Sequence, residues 1–221
     1  VRDEGEARYF CPNTDGCPTQ IKGKLLHFIS RKAMNVMAGD ATIDQLYSLG
    51  LVKSPSDFYT LSEADLVSME GWKEKSVQRF LKSVRESKKV TFDHVLFALG
   101  IRHVGESTAK SLAVHFGSIA GLMSASREEL LEVNDIGEVI ADSITDFFSN
   151  ESNISMVSGL KEAGLQFEMD TAPSLNATET LKGKTIVISG NFSISRNEMK
   201  ELIEIHGGKN MGFFKDFKDD F

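Results

Sequence analysis

The 221-residue chain has an apolar fraction of 41%, two cysteines and a formal net charge of −7 at neutral pH. It contains no apolar run long enough to form a membrane-spanning helix, and two cysteines are more typical of a reducing cytoplasm than of a disulfide scaffold. The charge is uneven, because residues 21–110 are net basic whereas residues 111–180 are strongly acidic. The negative total therefore does not exclude a nucleic-acid partner for the first half.

Residues 1–20 are polar, show no periodicity and contain both cysteines, Cys11 and Cys17. A short turn between two cysteines can supply two of the four ligands of a tetrahedral zinc ion. His27 would leave such a set one ligand short. Half of a metal site and two free thiols are therefore both open interpretations of this pair.

From Ile21 to about Gly164 the apolar pattern is helical, and Pro55 is the only proline in that stretch. Ser62 with Asp65, and Ser126 with Glu129, have the spacing of capping boxes that open short helices. The amphipathic spacing predicts helical segments at 25–33, 42–49, 74–88, 92–99, 107–116, 137–148 and 153–163.

Within this region a helix that breaks at a tight turn and restarts occurs four times. The turns fall near residues 39, 73, 105 and 137, so that the spacing is 34, 32 and 32 residues. A fixed period of this length is the mark of a repeated supersecondary unit. The first copy, around Met37-Ala38-Gly39, is degenerate.

The turns predict phosphate binding. Glycine there lets the backbone adopt positive φ and removes a side chain that would hold another surface at a distance. The helix that follows begins with unpaired N–H groups and a positive dipole end, which favour an anion. A small residue four positions on, Ala109 or Ala141, allows the two helices to cross closely. The alternative is that such turns only connect packed helices.

No paired-carboxylate, nucleophile–base or phosphate-loop motif indicates catalysis, and the acidic residues at 127–151 are interpreted mostly as a solvated face. The residues predicted to contact a polyphosphate backbone are Gly71, Trp72, Lys73, His103, Val104, Gly105, Ile136 and Gly137, with charge added by Lys75, Arg102 and Lys110.

After a linker at 169–180 the pattern changes. The β-branched run Lys184–Ser189 predicts a buried strand, and Ser195–His206 predicts an amphipathic helix stopped by two glycines. Residues 181–221 are too few to close an α/β domain, and the tail after Lys209 has no clear pattern. We therefore expect this segment to be the start of an incomplete domain.

Four sequence features together resemble the C-terminal half of bacterial NAD-dependent DNA ligases. They are the two cysteines with five residues between them, 27–34 (His-Phe-Ile-Ser-Arg-Lys-Ala-Met), 97–106 (Phe-Ala-Leu-Gly-Ile-Arg-His-Val-Gly-Glu) and 181–190 (Leu-Lys-Gly-Lys-Thr-Ile-Val-Ile-Ser-Gly). The second and third strings are specific to that family. The resemblance covers the chain to about Lys209.

The resemblance implies a mainly α fold with three modules and a linker. Residues 1–20 would be the second half of a four-cysteine zinc finger, with Cys11 and Cys17 as its last two ligands. Residues 21–168 would be a domain of four helix-hairpin-helix motifs that clamps nicked duplex DNA. Residues 181–221 would be the start of a BRCT domain, an α/β fold, which could make a further protein or DNA contact.

The implied function is that of the DNA-binding part of a ligase that seals nicks in replication and repair. NAD, Mg²⁺ and Zn²⁺ would serve the whole enzyme, and none is assigned to this stretch alone. It lacks the adenylation centre and is expected to be inactive by itself, with a cytoplasmic, nucleoid-associated location. The alternatives are the DNA-binding module of a repair nuclease and a helical protein-interaction module.

Overall fold

The computed structural model describes residues 13, 16–169, 179–181, 183–188, 199–200, 202–203 and 206–211. The chain divides into two compact units, residues 1–169 and 170–221. The first is helical in its described part. Its helices are α1 (Pro18–Ile29), α2 (Asp40–Ser48), α3 (Glu63–Val67), α4 (Glu74–Ser87), α5 (Phe92–Ala98), α6 (Glu106–Phe116), α7 (Ile119–Ser124), α8 (Arg127–Leu131), α9 (Glu138–Ser149) and α10 (Glu151–Glu162).

Four helix pairs form the predicted repeat. We call α1–α2, α3–α4, α5–α6 and α8–α9 the first, second, third and fourth hairpins. The residue that caps the second helix of each pair lies at position 39, 73, 105 or 137, which are the positions expected from the period. Each of the seven predicted amphipathic segments overlaps a helix, and the ends differ by up to four residues except that α1 begins seven residues before its predicted segment.

The two predicted capping boxes mark the starts of α3 and α8. The Ser62 N–H donates to Asp65 Oδ2 at 2.8 Å, and the Ser126 N–H donates to Glu129 Oε2 at 2.7 Å. In each box the serine hydroxyl accepts from the backbone N–H three residues on. Both predicted capping boxes are therefore confirmed.

α1 begins at Pro18, inside the segment predicted to have no helical pattern. Proline is favoured at the first helical position, since its fixed φ suits the helix and its missing N–H would be unpaired there. Cys17 consequently occupies the N-cap of α1. The polar residues of the first turn hide this start from a search for apolar periodicity.

The core of the first unit joins all four hairpins through buried aromatic and aliphatic side chains. Phe28 of α1 stacks on Phe58 with ring centroids 6.1 Å apart. Phe58 belongs to a 3-10 helix, Pro55–Tyr59, that links the first two hairpins. His27 Nε2 lies 2.8 Å from the Phe97 carbonyl oxygen. These contacts fix the first hairpin against the third.

In the second unit β1 (Thr185–Val187) pairs in parallel with β2 (Lys209–Met211). The predicted strand is therefore present, but its predicted burial is wrong, because Val187 is 51% exposed. Within the described part of this unit β1 has one partner strand, which leaves much of its surface open. Residues 199–200 and 202–203 are helical, as predicted for that segment. Pattern analysis missed β2, which is three residues long.

Candidate nucleic-acid interface

The second, third and fourth hairpins share one turn geometry. Two residues before each N-cap the backbone is left-handed, with φ of 79° at Gly71, 65° at His103 and 65° at Asp135. The next residue donates its N–H to the carbonyl three residues earlier, over 3.1 to 3.2 Å in all three hairpins. The repeat is therefore structural as well as sequential.

The first hairpin has a different turn, as its degenerate sequence predicted. Its left-handed residue is Asn35, with φ of 50°, four positions before the N-cap Gly39. The Ala38 N–H donates to the Val36 carbonyl instead of forming the three-residue turn of the other hairpins. The first hairpin thus lacks the geometry that the other three present.

The glycines of these turns do not all serve the role predicted for them. Gly71 has positive φ, but Gly105 and Gly137 are extended, with φ of −86° and −98°. The left-handed position falls on His103 and Asp135, which carry side chains. A Cβ added at Gly105 or Gly137 would meet no atom within 4 Å. Neither backbone conformation nor packing within the described chain therefore requires glycine at these two positions.

Three residues predicted to offer their amides to phosphate use them inside the turn. The N–H groups of Trp72, Val104 and Ile136 donate to the carbonyls of Met69, Ile101 and Val133, in that order. Val104 and Ile136 are also buried. In this structure these residues fix the turn, and the outward donors are the amides at and just after the N-cap.

The amides after the N-cap differ between hairpins. No side chain caps the start of α6 or α9 in the described residues, so their first-turn N–H groups face outward. In the second hairpin the Lys73 N–H donates to Ser76 Oγ at 2.8 Å. That bond leaves the second hairpin with one outward amide fewer than the third.

The small residues after the turn are buried as expected. Ala109 and Ala141 are fully buried, and Val77 takes the equivalent place in the second hairpin. The N–H of each donates to the N-cap carbonyl, at 2.8 Å for Ala109 and 3.0 Å for Ala141 and Val77. In these three hairpins the buried residue and its hydrogen bond hold the start of the second helix against the turn.

The charge around the hairpins is unequal. Lys73 and Lys75 in the second hairpin and Arg102, His103 and Lys110 in the third are all exposed. In the third hairpin Glu106, the first residue of α6, pairs with Lys32 at 3.1 Å.

The fourth hairpin has a carboxylate, Asp142, at the position that Lys110 takes in the third hairpin. Arg127 lies 2.7 Å from Asp142 and 3.9 Å from Glu138. Asp142 raises the pKa of Arg127 above its usual range, with a smaller contribution from Glu138. The Arg127 guanidinium is therefore already paired with neighbouring carboxylates.

One group of cations was missed by the sequence analysis. Arg79 and Lys82 follow Lys75 on α4 at intervals of four and three residues, which places all three on one helix face. Their spacing is visible in the sequence, but only Lys75 was included among the predicted binding residues, which were chosen around the turns. We call Lys75, Arg79 and Lys82 the basic stripe.

The metal prediction concerns residues that the structure describes only in part, because Cys11 lies outside them. Among the described residues no three His, Cys, Asp or Glu side chains form a group that could hold a metal ion. None of the described helices combines the length and apolarity needed to cross a membrane.

Comparison with known proteins agrees with this architecture. A helix-hairpin-helix motif family matches residues 94–157, which include the fourth hairpin and all of the third except its first two residues. The BRCA1 C-terminus (BRCT) domain family matches residues 176–219. That match begins inside the predicted linker and continues ten residues past Lys209, where the resemblance seen in the sequence ended.

Similar proteins named DNA ligase cover almost all of this chain. One from Parabacteroides distasonis is 53% identical over 96% of the chain, one from Phocaeicola vulgatus is 49% identical over 96%, and one from Porphyromonas gingivalis is 42% identical over 96%. In each case the chain spans 32% of the relative's length. The resemblance inferred from the sequence is thus confirmed, and this chain corresponds in sequence to about one third of a DNA ligase.

Proposed function

We propose that residues 21–168 bind the sugar–phosphate backbone of duplex DNA. The chain would then be the DNA-binding part of an NAD-dependent ligase that seals nicks in replication and repair. Three observations support this proposal: the relatives named DNA ligase, the matched helix-hairpin-helix motif, and the turn geometry shared by three hairpins. Because the chain spans about one third of those relatives, we assign the ligation chemistry to the remainder and expect this chain alone to be inactive.

The observation on which the proposal mainly rests is the presence of glycine at positions 105 and 137. Each stands at an N-cap where the chain itself would accept a side chain. Serine, asparagine and aspartate cap helices better than glycine, so helix stability does not account for the choice. A phosphate that approaches the first-turn amides accounts for it, because a side chain would occupy the space in front of those donors.

Such contacts suit an enzyme that must act on any sequence. Phosphate contacts fix the position of a protein on the duplex without reading bases. Hairpins spaced along one rigid core could hold the backbone on both sides of a nick. Nicked duplex is therefore the proposed partner, with a location at the bacterial nucleoid.

The cofactors belong to the proposed whole enzyme. NAD and Mg²⁺ would serve the adenylation and sealing steps outside this chain. Cys11 and Cys17 would supply two ligands of a zinc site whose other ligands also lie outside it. The repair-nuclease alternative is not favoured, since no acidic metal-binding cluster exists among the described side chains.

The test replaces both glycines with serine, in the variant Gly105→Ser/Gly137→Ser. Serine at an N-cap accepts a first-turn N–H with its own hydroxyl, so it both fills the space and occupies a donor. We expect the fold to be as stable as before, within roughly 0.5 kcal/mol. Affinity for a labelled nicked duplex, measured by fluorescence anisotropy, should fall at least about tenfold, since a hydrogen bond to a charged group contributes about 1.5–3 kcal/mol.

Gly39→Ser is the matched control. Gly39 is also an extended N-cap with open space around it, but it belongs to the hairpin without the shared turn. This variant should bind DNA nearly as well as the unaltered chain. Equal affinity for all three proteins, with folds intact by circular dichroism, would refute the phosphate role and favour a helical protein-interaction module. The unaltered chain should also lose affinity steeply between about 50 and 200 mM salt.

A further inference from the structure

A groove lies between the first and second hairpins and overlaps the predicted phosphate site only at Gly71 and Trp72. Its volume is about 340 Å³. Its lining combines apolar with polar and cationic side chains. The residues are Gly71, the apolar Met37, Trp72 and Phe80, which we call the apolar side, and the polar or cationic Thr42, Ser76 and Arg79, which we call the polar side.

The apolar side is held in place by contacts to α4. The Met37 N–H donates to Ser83 Oγ at 3.0 Å, while the Met37 side chain stays 57% exposed. The Trp72 ring meets Phe80 edge to face, with centroids 5.4 Å apart and planes at 83°. An exposed methionine beside a half-buried tryptophan thus forms a fixed apolar surface open to solvent.

The polar side continues into the basic stripe. Arg79 lines the groove, and Lys75 and Lys82 lie one turn to either side of it on α4. The structure records no hydrogen bond or ion pair for the side chains of these three residues within its described part. By contrast Lys22, Lys32 and Arg127 are each paired with a carboxylate at 3.1 Å or less. The basic stripe therefore has charge available for an external anion.

We propose that the groove and the basic stripe bind one strand of duplex DNA, with a deoxyribose against Met37 and Trp72 and phosphates against Lys75, Arg79 and Lys82. This inference rests on the proposed function and extends it to the first hairpin, which would act through side chains and not through turn amides. The groove shares Gly71 and Trp72 with the second hairpin's turn. A strand held at that turn would therefore continue into it.

The dimensions and chemistry favour a nucleic-acid strand over an acidic peptide. From Lys75 to Lys82 the helix rises about 10 Å, which matches the axial rise of about three nucleotides of one strand. A strand repeats an apolar sugar face beside an anionic edge, and the groove sets an apolar side beside a cationic one. An acidic peptide would satisfy the cations but has no apolar face of fixed spacing, so it becomes the competing outcome of the test.

The test uses the whole chain and the variant Arg79→Gln/Lys82→Gln. Binding to nicked duplex is measured by anisotropy at several salt concentrations. Removal of two phosphate contacts should reduce the slope of log affinity against log salt by about 2. Lys53→Gln/Lys161→Gln is the matched control, because both lysines are exposed and neither lines the groove. The control makes the same change in net charge and should leave the slope unchanged.

Two further measurements concern the apolar side. Met37→Ser removes apolar surface without changing charge, so affinity should fall about fivefold while the salt slope stays constant. Trp72 is the only tryptophan in the chain, and its fluorescence therefore reports on the groove. DNA should change that fluorescence with the same midpoint as the anisotropy titration.

The outcomes separate this inference from the proposed function. If Gly105→Ser/Gly137→Ser loses affinity but Arg79→Gln/Lys82→Gln keeps its salt slope, the groove is not a DNA site and the hairpin proposal stands. If polyglutamate changes Trp72 fluorescence and DNA does not, the groove binds an acidic peptide and the inference is overturned. If the unaltered chain does not bind DNA at low salt, the proposed function fails and this inference fails with it.

Discussion

Tyr59 makes the stability of this fold sensitive to alkaline pH in a calculable way. It ends the 3-10 helix that joins the first two hairpins, and its hydroxyl lies 2.9 Å from Ser87 Oγ of α4. Ser87 donates to the Val84 carbonyl at 2.7 Å, so Tyr59 is the donor to Ser87. Burial raises the pKa of Tyr59 to about 12.

The sign follows from linkage. Because the pKa is higher in the folded state than its usual value of 10.0, Tyr59 ionises first in the unfolded chain. Its contribution is complete below pH 10 and is lost as the pH rises towards 12. One pH unit within this window corresponds to about 1.4 kcal/mol. The free energy of unfolding should therefore fall by about 1.4 kcal/mol by pH 11 on account of Tyr59 alone.

Tyr59→Phe isolates this effect from other groups that titrate in the same range. At pH 8 the variant should be less stable by about 1 kcal/mol, since it loses one hydrogen bond while Ser87 keeps its bond to Val84. Towards pH 11 the two proteins should converge and then cross. Urea denaturation followed by circular dichroism from pH 8 to 11 measures the difference. A constant difference across that range, or a Tyr59 absorbance change centred on pH 10, would refute the reasoning.

Two further predictions concern packing and backbone conformation. Gly100→Ala should cost about 1–2 kcal/mol, because Gly100 has φ of +69° and a Cβ there would lie 3.4 Å from His27 Cδ2. Gly105→Ser, five residues on, should leave thermal stability almost unchanged, since that position is an extended, open N-cap where serine is at least as favourable as glycine; an equal loss in both would contradict the assignment. Phe28→Ala should cost about 3–5 kcal/mol, because Phe28 is fully buried and meets both Phe58 and Tyr59. Thermal denaturation of that variant checks the value, and a cost below about 1 kcal/mol would show that the site collapses around the missing ring.

Local signals explain what could be predicted from the sequence. The helices, the capping boxes at Ser62 and Ser126 and the period of the hairpins all depend on residues within one or two turns of each other. The left-handed turn position was harder, since His103 and Asp135 occupy it although glycine is the usual choice. Aspartate and histidine tolerate this region better than most residues. Glycine therefore marks each turn, but in the third and fourth hairpins the left-handed residue lies two positions before the glycine predicted to adopt positive φ.

Two of the features that were missed, the groove and β2, depend on contacts between distant parts of the chain. The groove combines Met37 with Trp72, which are brought together only when the first two hairpins pack. The start of α1 at Pro18 depends on proline geometry and not on apolar spacing. β2 is recognisable only through its pairing with β1. None of these has a periodic signature of its own.

The fourth hairpin separates geometry from electrostatics. Its turn matches that of the third hairpin at the left-handed residue, the internal hydrogen bond and the open N-cap glycine. Its surroundings are more acidic, because Asp142 takes the position that Lys110 has in the third hairpin and Arg127 is bonded to Asp142. A backbone amide attracts a phosphate only at hydrogen-bonding distance, whereas a charged side chain attracts or repels it over about a Debye length of 10 Å. A phosphate could therefore be held at the fourth hairpin only after the second and third hairpins had brought the duplex close. The basic half of the chain should thus determine the rate of association, and the acidic half should add contacts to DNA that is already bound.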